Sequence, residues 1–414
     1  MAEEAYRKGR VYSLQALHGF PARNMRVIMV TGTNGKTTTT MLINAMLKSA
    51  GYKTAMFTTA VIEIAGKAEP NRSHRTVVLT GKLIQLLTKA RAAHVDFVVL
   101  EVTSMALDQH KVLGIPVEVA VMTNLTQDHL DYHGTMERYA AAKARLFNRY
   151  MKPQKVVLNH DDGWYDYFRE QSWVEPLTYG EHAESTHRIE QVHSNAKGSG
   201  WVVHEAGKRL NLHTKLTGGF NVYNATAAAC VGRAVGLSSE QIQKGIDTLA
   251  FVPGRMELID AGQAFTVLVD YAVTPDALQN VLRSARGITK GGKVIVVFGA
   301  TGDRDTSKRP LMGEVAAKYA DFTVLTDDET YTEDPAAIRA AVRDGLVASH
   351  GNFVEIDDRK KAIEAAFNQA KAKDVVILTG IGHQDSRNMG GKLVPWDERE
   401  IARRILENRS YSSL

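Results

Sequence analysis

Residues 31–40 read TGTNGKTTTT, directly after the β-branched run 26–31 (RVIMVT) and at the head of a helical stretch from about 36 to 50. A buried strand that stops at a glycine and turns into a helix is the opening unit of an α/β sheet. Backbone N–H groups from Gly32 through Thr37 can cradle phosphates, and the helix N-terminus adds positive potential. Gly32, Thr33, Asn34, Gly35, Lys36, Thr37 and Thr38 are therefore candidate nucleotide-binding residues. Lys36 suits the terminal phosphates and the Thr37 hydroxyl suits a phosphate-bound Mg²⁺. The general spacing of such loops wants glycine where this chain has Val30, so this is a shortened variant. A glycine turn that merely caps a helix is the plain alternative. Strand, glycines, lysine and threonines in one context favour nucleotide binding.

Further apolar runs recur at 97–102, 117–124 and 155–159, then at 266–270, 293–299, 322–326, 353–356 and 374–379. Helix-length segments such as 309–320 and 335–348 separate most of them. That rhythm predicts parallel sheets covered on both faces. Residues 188–216 alternate polar and apolar instead and predict antiparallel hairpins. A helix over 224–235 follows, and Pro253-Gly254-Arg255 precedes a fresh strand–helix series. The expected architecture is a central phosphate-loop, parallel-sheet ATPase domain with a hairpin insertion, over 1–252, and a C-terminal Rossmann-like α/β domain over 253–414. Residues 1–24 read as a short N-terminal extension, a helix packed on the central sheet.

The 414 residues are 44% hydrophobic and 23% charged, which excludes a largely disordered chain. No run reaches the roughly 18–20 apolar residues of a membrane span, and the start lacks the layout of a signal peptide, so a cytoplasmic protein is expected. The single cysteine, Cys230, excludes disulfides within the chain and cysteine-based zinc sites. The net charge of +5 comes without a basic stripe and gives no sign of nucleic-acid binding.

The ordered motifs TGTNGKTTTT, EVTS (101–104), TNLTQDHLDYHGTMERYAAAKARLF (123–147), NVYNATAA (221–228), GRMELI (254–259), DYAVTPDAL (270–278) and GDRDTSKRPLMGEVA (302–316) resemble those of the Mur ligases. Within that family the likeness is greatest to the UDP-N-acetylmuramyl-tripeptide synthetases, and it covers nearly all of the chain after residue 25. The resemblance implies an ATP-dependent, ADP-forming ligase that activates an acceptor carboxylate as an acyl-phosphate and joins it to an amino acid. It also implies two Mg²⁺ ions, with Thr37, Glu101, His129 and a CO₂-derived carbamate on Lys143 as ligands. Lys36, Glu101, His129 and Lys143 are thus the candidate catalytic set. Read singly, Glu101, His129 and Lys143 are ordinary strand-end or helix residues. By the same resemblance Asn224 meets the adenine, and Arg255 and Asp270 meet ribose and phosphates. Because those residues lie on both sides of the expected boundary, ATP is expected in a cleft between domains. Arg304 pairs with the incoming amino acid's carboxylate, as a bidentate guanidinium can.

Several departures bear on the substrate. About 30 residues precede the phosphate loop, so the family's N-terminal uridine-nucleotide domain is expected to be missing, which leaves room for a partner protein that supplies acceptor binding. The family's acceptor-contacting NTTP segment is here 72–81 (RSHRTVVLTG). Lys111 and Val273 replace an arginine and a histidine of the family pattern, and a lysine lacks the arginine's bidentate fork. Diaminopimelate enzymes carry DNPR, whereas this chain reads DDETYTEDP from Asp327. Without that arginine a distal carboxylate lacks a partner, which argues against diaminopimelate. Asp327, Asp328 and Glu329 are placed to receive a cationic side chain such as lysine or ornithine, or form a solvated loop. The family's GKGHE is GIGHQ here (380–384), with Gly380 and Gln384 as further amino-acid candidates and Ile381 in place of the lysine. A folylpolyglutamate synthase-like, cyanophycin-type or polyglutamate-type ligase remains an alternative. So does a nucleotide-binding Mur-like subunit without catalysis, though that fits poorly with retention of the whole metal set.

Overall fold

The protein is described from a computed structural model, which covers residues 2–73, 76–77, 79–195, 198–289 and 291–412. The chain forms two compact units, one of Met1–Thr126, His133–His193 and Gly198–Ala250, the other of Gln127–Tyr132, Ser194–Lys197 and Phe251–Leu414.

The first unit is built on β1 (Arg26–Thr31), β2 (Thr54–Phe57), β3 (Val61–Ile64), β4 (Lys67–Pro70), β5 (Phe97–Glu101), β6 (Val119–Met122), β7 (Lys155–Asn159), β8 (Leu177–Gly180), β9 (His187–Asn195), β10 (Gly198–Glu205) and β11 (Lys208–Thr214). They form one sheet in the order β11-β10-β9-β8-β7-β6-β1-β5-β2-β3-β4. Its centre is parallel, with Val30 of β1 opposite Glu101 of β5 and Thr31 opposite Met122 of β6. The ends of these three strands therefore emerge side by side, where a parallel sheet places its ligand sites. Val27 to Val30 are at most 1% exposed, as a strand covered on both faces requires.

The expected antiparallel hairpin forms as β10 and β11, and the segment joins the main sheet through β9, which pairs in parallel with β8. Two expectations are corrected here. The helix expected from 224 runs over Gly219–Ala234. Gly218 takes φ 97° at its N-cap, a conformation glycine adopts without strain, so the helix starts a turn earlier and Asn224 lies inside it. The N-terminal helix, Ala2–Leu17, packs on the helix Thr80–Ala92 rather than on the sheet. Its Gln15 donates to the Leu113 carbonyl at 2.5 Å.

The second unit has a sheet of β12 (Glu257–Ile259), β13 (Thr266–Asp270), β14 (Val294–Phe298), β15 (Phe322–Leu325), β16 (Phe353–Glu355) and β17 (Val375–Thr379), ordered β12-β13-β17-β14-β15-β16. The pairings of β13 through β17 are parallel, while β12 is antiparallel. A small hairpin of β18 (Ser386–Met389) and β19 (Lys392–Pro395) follows. Behind it Arg359 and Glu398, both inaccessible to solvent, form a buried ion pair at 2.5 Å, and the Trp396 indole N–H donates to the same carboxylate.

Helices Lys308–Tyr319 and Pro335–Ala348 cross at glycines. A Cβ at Gly313 would lie 2.2 Å from the Val342 carbonyl oxygen, and one at Gly345 would lie 1.9 Å from that of Pro310. Alanine is the better helix former by about 1 kcal/mol, but here backbone must move to admit it. Gly345→Ala is expected to destabilise the fold by about 2 kcal/mol, the usual scale of overpacking. A chemical-denaturation midpoint equal to or above wild type would contradict that packing account.

Candidate active site

The phosphate loop leaves β1 at Gly32, whose φ of 150° places its α-carbon against β6. A Cβ there would sit 1.8 Å from Thr123 Oγ1, so only glycine fits. Three residues on, Gly35 (φ 82°) faces Asn224, and a Cβ would sit 2.2 Å from its Oδ1. The loop is pinned by its neighbours. Thr33 N–H donates to the Asn124 carbonyl at 2.8 Å, and Asn34 N–H to Asn124 Oδ1 at 2.9 Å. Thr123 Oγ1 and Asn124 Nδ2 both donate to the Asn34 carbonyl, at 2.6 and 3.1 Å. These bonds use the Thr33 and Asn34 amides to fix the path of the loop before any anion arrives, a pre-organisation that favours binding at the helix N-terminus that follows.

Two lysines converge on the same turn. Lys36 Nζ donates to the carbonyls of Gly32 (3.1 Å) and Thr33 (2.7 Å). Lys143, 1% exposed, donates to the Gly32 carbonyl at 2.7 Å and lies 4.6 Å from the centre of the Tyr139 ring. Tyr139 in turn meets Thr33 through its hydroxyl at 3.2 Å. Beside them Thr37 Oγ1 donates to Glu101 Oε2 at 2.9 Å. Glu101, also 1% exposed, is held by Thr59 through its N–H (2.9 Å) and its hydroxyl (3.0 Å). A hydroxyl and a carboxylate in contact next to a phosphate cradle are hard oxygen donors of the kind Mg²⁺ takes, so these residues fit that ion.

Asn224 meets the loop as well, through Thr39 Oγ1 at 3.4 Å, while its own amide donates to Asn221 Oδ1 at 3.0 Å. The structure thus brings Gly32, Thr33, Asn34, Gly35, Lys36, Thr37, Glu101, Lys143 and Asn224 into one neighbourhood of the first unit. Thr38 is buried in the first turn of the following helix. Of the segment 72–81, expected to contact the acceptor, residues 74, 75 and 78 lie outside the described residues. Arg72 and Ser73 line a groove of about 620 Å³ with Asn71, Leu79 and Lys82.

The other expected residues belong to the second unit. His129 lies on the segment Gln127–Tyr132, in a left-handed backbone conformation (φ 55°). Its neighbour Asp128 pairs with Lys308 at 3.2 Å. Burial pushes the Asp128 carboxyl up, but Lys308 and then His129 outweigh it and hold the group below its ordinary range. Asp270 ends β13, is buried, and accepts the Met256 N–H at 2.8 Å. Burial pushes its carboxyl up to about 6, against the opposing pull of Arg255. The Arg255 guanidinium lies 4.6 Å from the centre of the Tyr271 ring.

Arg304 stacks on Tyr331, 4.8 Å from the ring centre, with Nη2 3.4 Å from the tyrosine hydroxyl. The acidic run is not a solvated loop. Asp327 is paired with Arg339, and Asp328, 3% exposed, lies 3.9 Å from buried Arg359 and directly under Gly380. Glu329 accepts from Gln384 Nε2 at 3.3 Å and from the Asn388 N–H at 3.0 Å. Sequence reasoning singled out neither Asn124, Thr59, Tyr139 nor Tyr331. Asn124 stands inside the quoted TNLTQDH motif, whereas the other three acquire their roles only through tertiary contact.

The Mur ligase middle domain matches residues 30–232, and the Mur ligase glutamate ligase domain matches residues 254–382. The chain is 41% identical over 411 residues to the UDP-N-acetylmuramoyl-L-alanyl-D-glutamate–2,6-diaminopimelate ligase of Geobacillus kaustophilus, covering 97% of this chain and 83% of that protein. It is 40% identical over 414 residues to the UDP-N-acetylmuramyl-tripeptide synthetase of Roseiflexus sp., covering 96% and 81%. A solved structure of a UDP-N-acetylmuramoyl-L-alanyl-D-glutamate–2,6-diaminopimelate ligase superposes with TM-score 0.66 at 31% identity, over 99% of this chain and 83% of that one. The folylpolyglutamate synthase of Mycobacterium tuberculosis shares the fold (TM-score 0.73, 90% and 92% covered) at 18% identity. With both domains matched in order and identity near 40% over almost its whole length, this chain belongs to the Mur ligase family, as an ATP-dependent, ADP-forming amino-acid ligase of the tripeptide-synthetase type.

Proposed function

We propose that the chain adds one amino acid to the free carboxylate of a muramoyl-peptide precursor of the cell wall, in the cytoplasm. The observation that carries this is the Thr37–Glu101 contact at 2.9 Å, beside a loop on which Lys36 and Lys143 converge. The acceptor carboxylate attacks the γ-phosphorus of ATP, the bond to the β-phosphate oxygen breaks, and an acyl-phosphate and ADP result. The amino group then attacks the acyl carbon and phosphate leaves. The first step forces a carboxylate onto a polyanion, so neutralising charge and positioning dominate its barrier. Lys36 would exchange the loop carbonyls for the phosphates; Thr37 and Glu101 would hold Mg²⁺, with His129 and a carbamate on Lys143 as the further ligands of a two-ion set. Bound Mg²⁺ supplies charge neutralisation between phosphate and carboxylate.

For nucleotide binding we assign Gly32 to Thr38, with Asn224 at the adenine and Arg255 and Asp270 at ribose and phosphates. For the amino acid we assign Arg304 to the α-carboxylate, with Asp327, Asp328, Gly380 and Gln384 in or behind the side-chain pocket. Asp327 and Asp328 face arginines, and Glu329 lies beside Gln384, where its carboxylate adds negative charge to this pocket. Tyr331, beneath Arg304, offers no charge to a second carboxylate. The favoured substrate is therefore a monocarboxylate amino acid with a cationic side chain, although several relatives are named for diaminopimelate. A partner chain that presents the acceptor is compatible with this assignment.

Mass spectrometry of the product, with UDP-N-acetylmuramoyl-dipeptide and a panel of lysine, ornithine and diaminopimelate, tests the substrate reading. A lysine or ornithine adduct is expected, and a diaminopimelate adduct alone would overturn it. Lys36→Met is expected to lower kcat/KM by about two to three orders of magnitude, as for loss of a group that stabilises transition-state charge. Unaltered turnover would remove the lysine from the reaction. Lys143→Ala should abolish turnover while leaving the fold intact by circular dichroism, and wild-type activity would refute the carbamate.

The buried carboxyl of Asp270 sets a pH dependence of stability. Its pKa rises from 3.8 to about 6 on folding, so the folded state keeps the proton longer than the unfolded one. Its contribution therefore falls as pH rises through that window and levels off above it. Asp270→Asn is expected to gain melting temperature relative to wild type between pH 4 and pH 7, while a pH-independent difference would contradict the burial argument.

A further inference from the structure

Lys143 and Lys308 are the lysines found buried among the described residues, at 1% and 4% exposure. Lys143 has its place in the proposed metal set, but Lys308 has none yet. It opens the helix Lys308–Tyr319, where the helix dipole is positive and a cation is disfavoured. A buried ammonium there needs a compensating carboxylate, and Asp128 supplies it at 3.2 Å. The same carboxylate grips the next residue. Asp128 Oδ1 accepts the His129 N–H at 2.9 Å, and Oδ2 lies 3.5 Å from His129 Nε2. Next to this pair Gln127 Nε2 donates to Ser307 Oγ at 2.9 Å, and Asp305 Oδ1 accepts from the N–H and hydroxyl of Ser307 at 3.0 and 2.5 Å. The segment 127–129 is thus stapled to the turn at 305–308, which also carries Arg304.

We propose that Asp128 and Lys308 are positioning residues: the lysine fixes the aspartate, and the aspartate fixes the ring of His129 so that its Nδ1 faces a metal ion. This rests on the reading of His129 as a metal ligand. The physical reason is general, since a metal-bound imidazole is held by a carboxylate on its other nitrogen, and loss of such a partner weakens the metal by about 10- to 100-fold. The backbone of His129 adds a second reason. A left-handed residue other than glycine is held against its preference, and the Asp128 bond to its N–H is one of the contacts that keeps it there.

Mn²⁺ titration of the ADP-bound protein, followed by electron paramagnetic resonance, tests this without turnover. Lys308→Met and Asp128→Asn are each expected to weaken Mn²⁺ binding by about 10-fold or more, with Lys308→Arg restoring most of it. In a His129→Ala background the same substitutions should have no further effect. Unchanged Mn²⁺ affinity in both Lys308→Met and Asp128→Asn would overturn the proposal while leaving His129 as a ligand. Unchanged affinity in His129→Ala would instead remove the ligand reading on which the proposal stands. If Lys308→Met fails to fold, Asp128→Asn, which is nearly isosteric, carries the same test.

Discussion

The approach of Gly32 to Thr123 is the constraint from which the rest of the first unit's site follows. Because nothing larger than hydrogen fits there, the turn after β1 lies flat against the end of β6. Its amides are then fixed by Asn124, and the first helical turn points Thr37 at Glu101 on the other flanking strand. Three strand ends, β5, β1 and β6, thereby supply one carboxylate, one phosphate cradle and one bracing strand. A parallel sheet offers this arrangement at the place where neighbouring strands part. The chemistry of carboxylate activation needs anions brought together, and this neighbourhood supplies the N–H dipoles of the loop and helix N-terminus together with the Lys36 ammonium.

Charge management recurs in the second unit with a different purpose. Arg359 and Glu398 pair without solvent, Arg387 donates to the carbonyls of Asp327 and Asp328, and Arg339 takes the Asp327 carboxylate. Arg359 and Arg339 meet carboxylates, as desolvation of a buried charge demands, whereas buried Arg387 is held by carbonyl oxygens. These arginines brace the turn after β15 and the glycine turn after β17 from behind. Tyr331 lies against Arg304, and Glu329 accepts from Gln384 and the Asn388 N–H.

Much of this was legible in the sequence because the signals were local. RVIMVT followed by GTNGKT gave strand, turn and helix in order, and the long apolar runs marked the central strands of both sheets. Short strands such as Lys67–Pro70 and Leu177–Gly180 carry no comparable run and were visible only through pairing. The start of the helix at Gly219 was hidden because it depends on the left-handed Gly218. In the site, Lys36 and Thr37 followed from spacing, while Glu101 and Lys143 followed from resemblance alone. Thr59, Tyr139 and Tyr331 were illegible, since no pattern links residue 59 to 101 or 331 to 304 without the fold. The acidic run at 327–329 misleads by composition, because its counter-charges at 339, 359 and 387 are distant in sequence.

The acyl-phosphate is the claim on which the account stands, and an isotope follows it directly. An acceptor whose reacting carboxylate is labelled with ¹⁸O is incubated with ATP, Mg²⁺ and the amino acid, and the released phosphate is analysed by ³¹P nuclear magnetic resonance. Activation through a mixed anhydride transfers one ¹⁸O to each phosphate released with amide formation. Amide product accompanied by unlabelled phosphate would show that ATP is cleaved without joining the carboxylate, and the mechanism built on Lys36, Thr37 and Glu101 would be wrong.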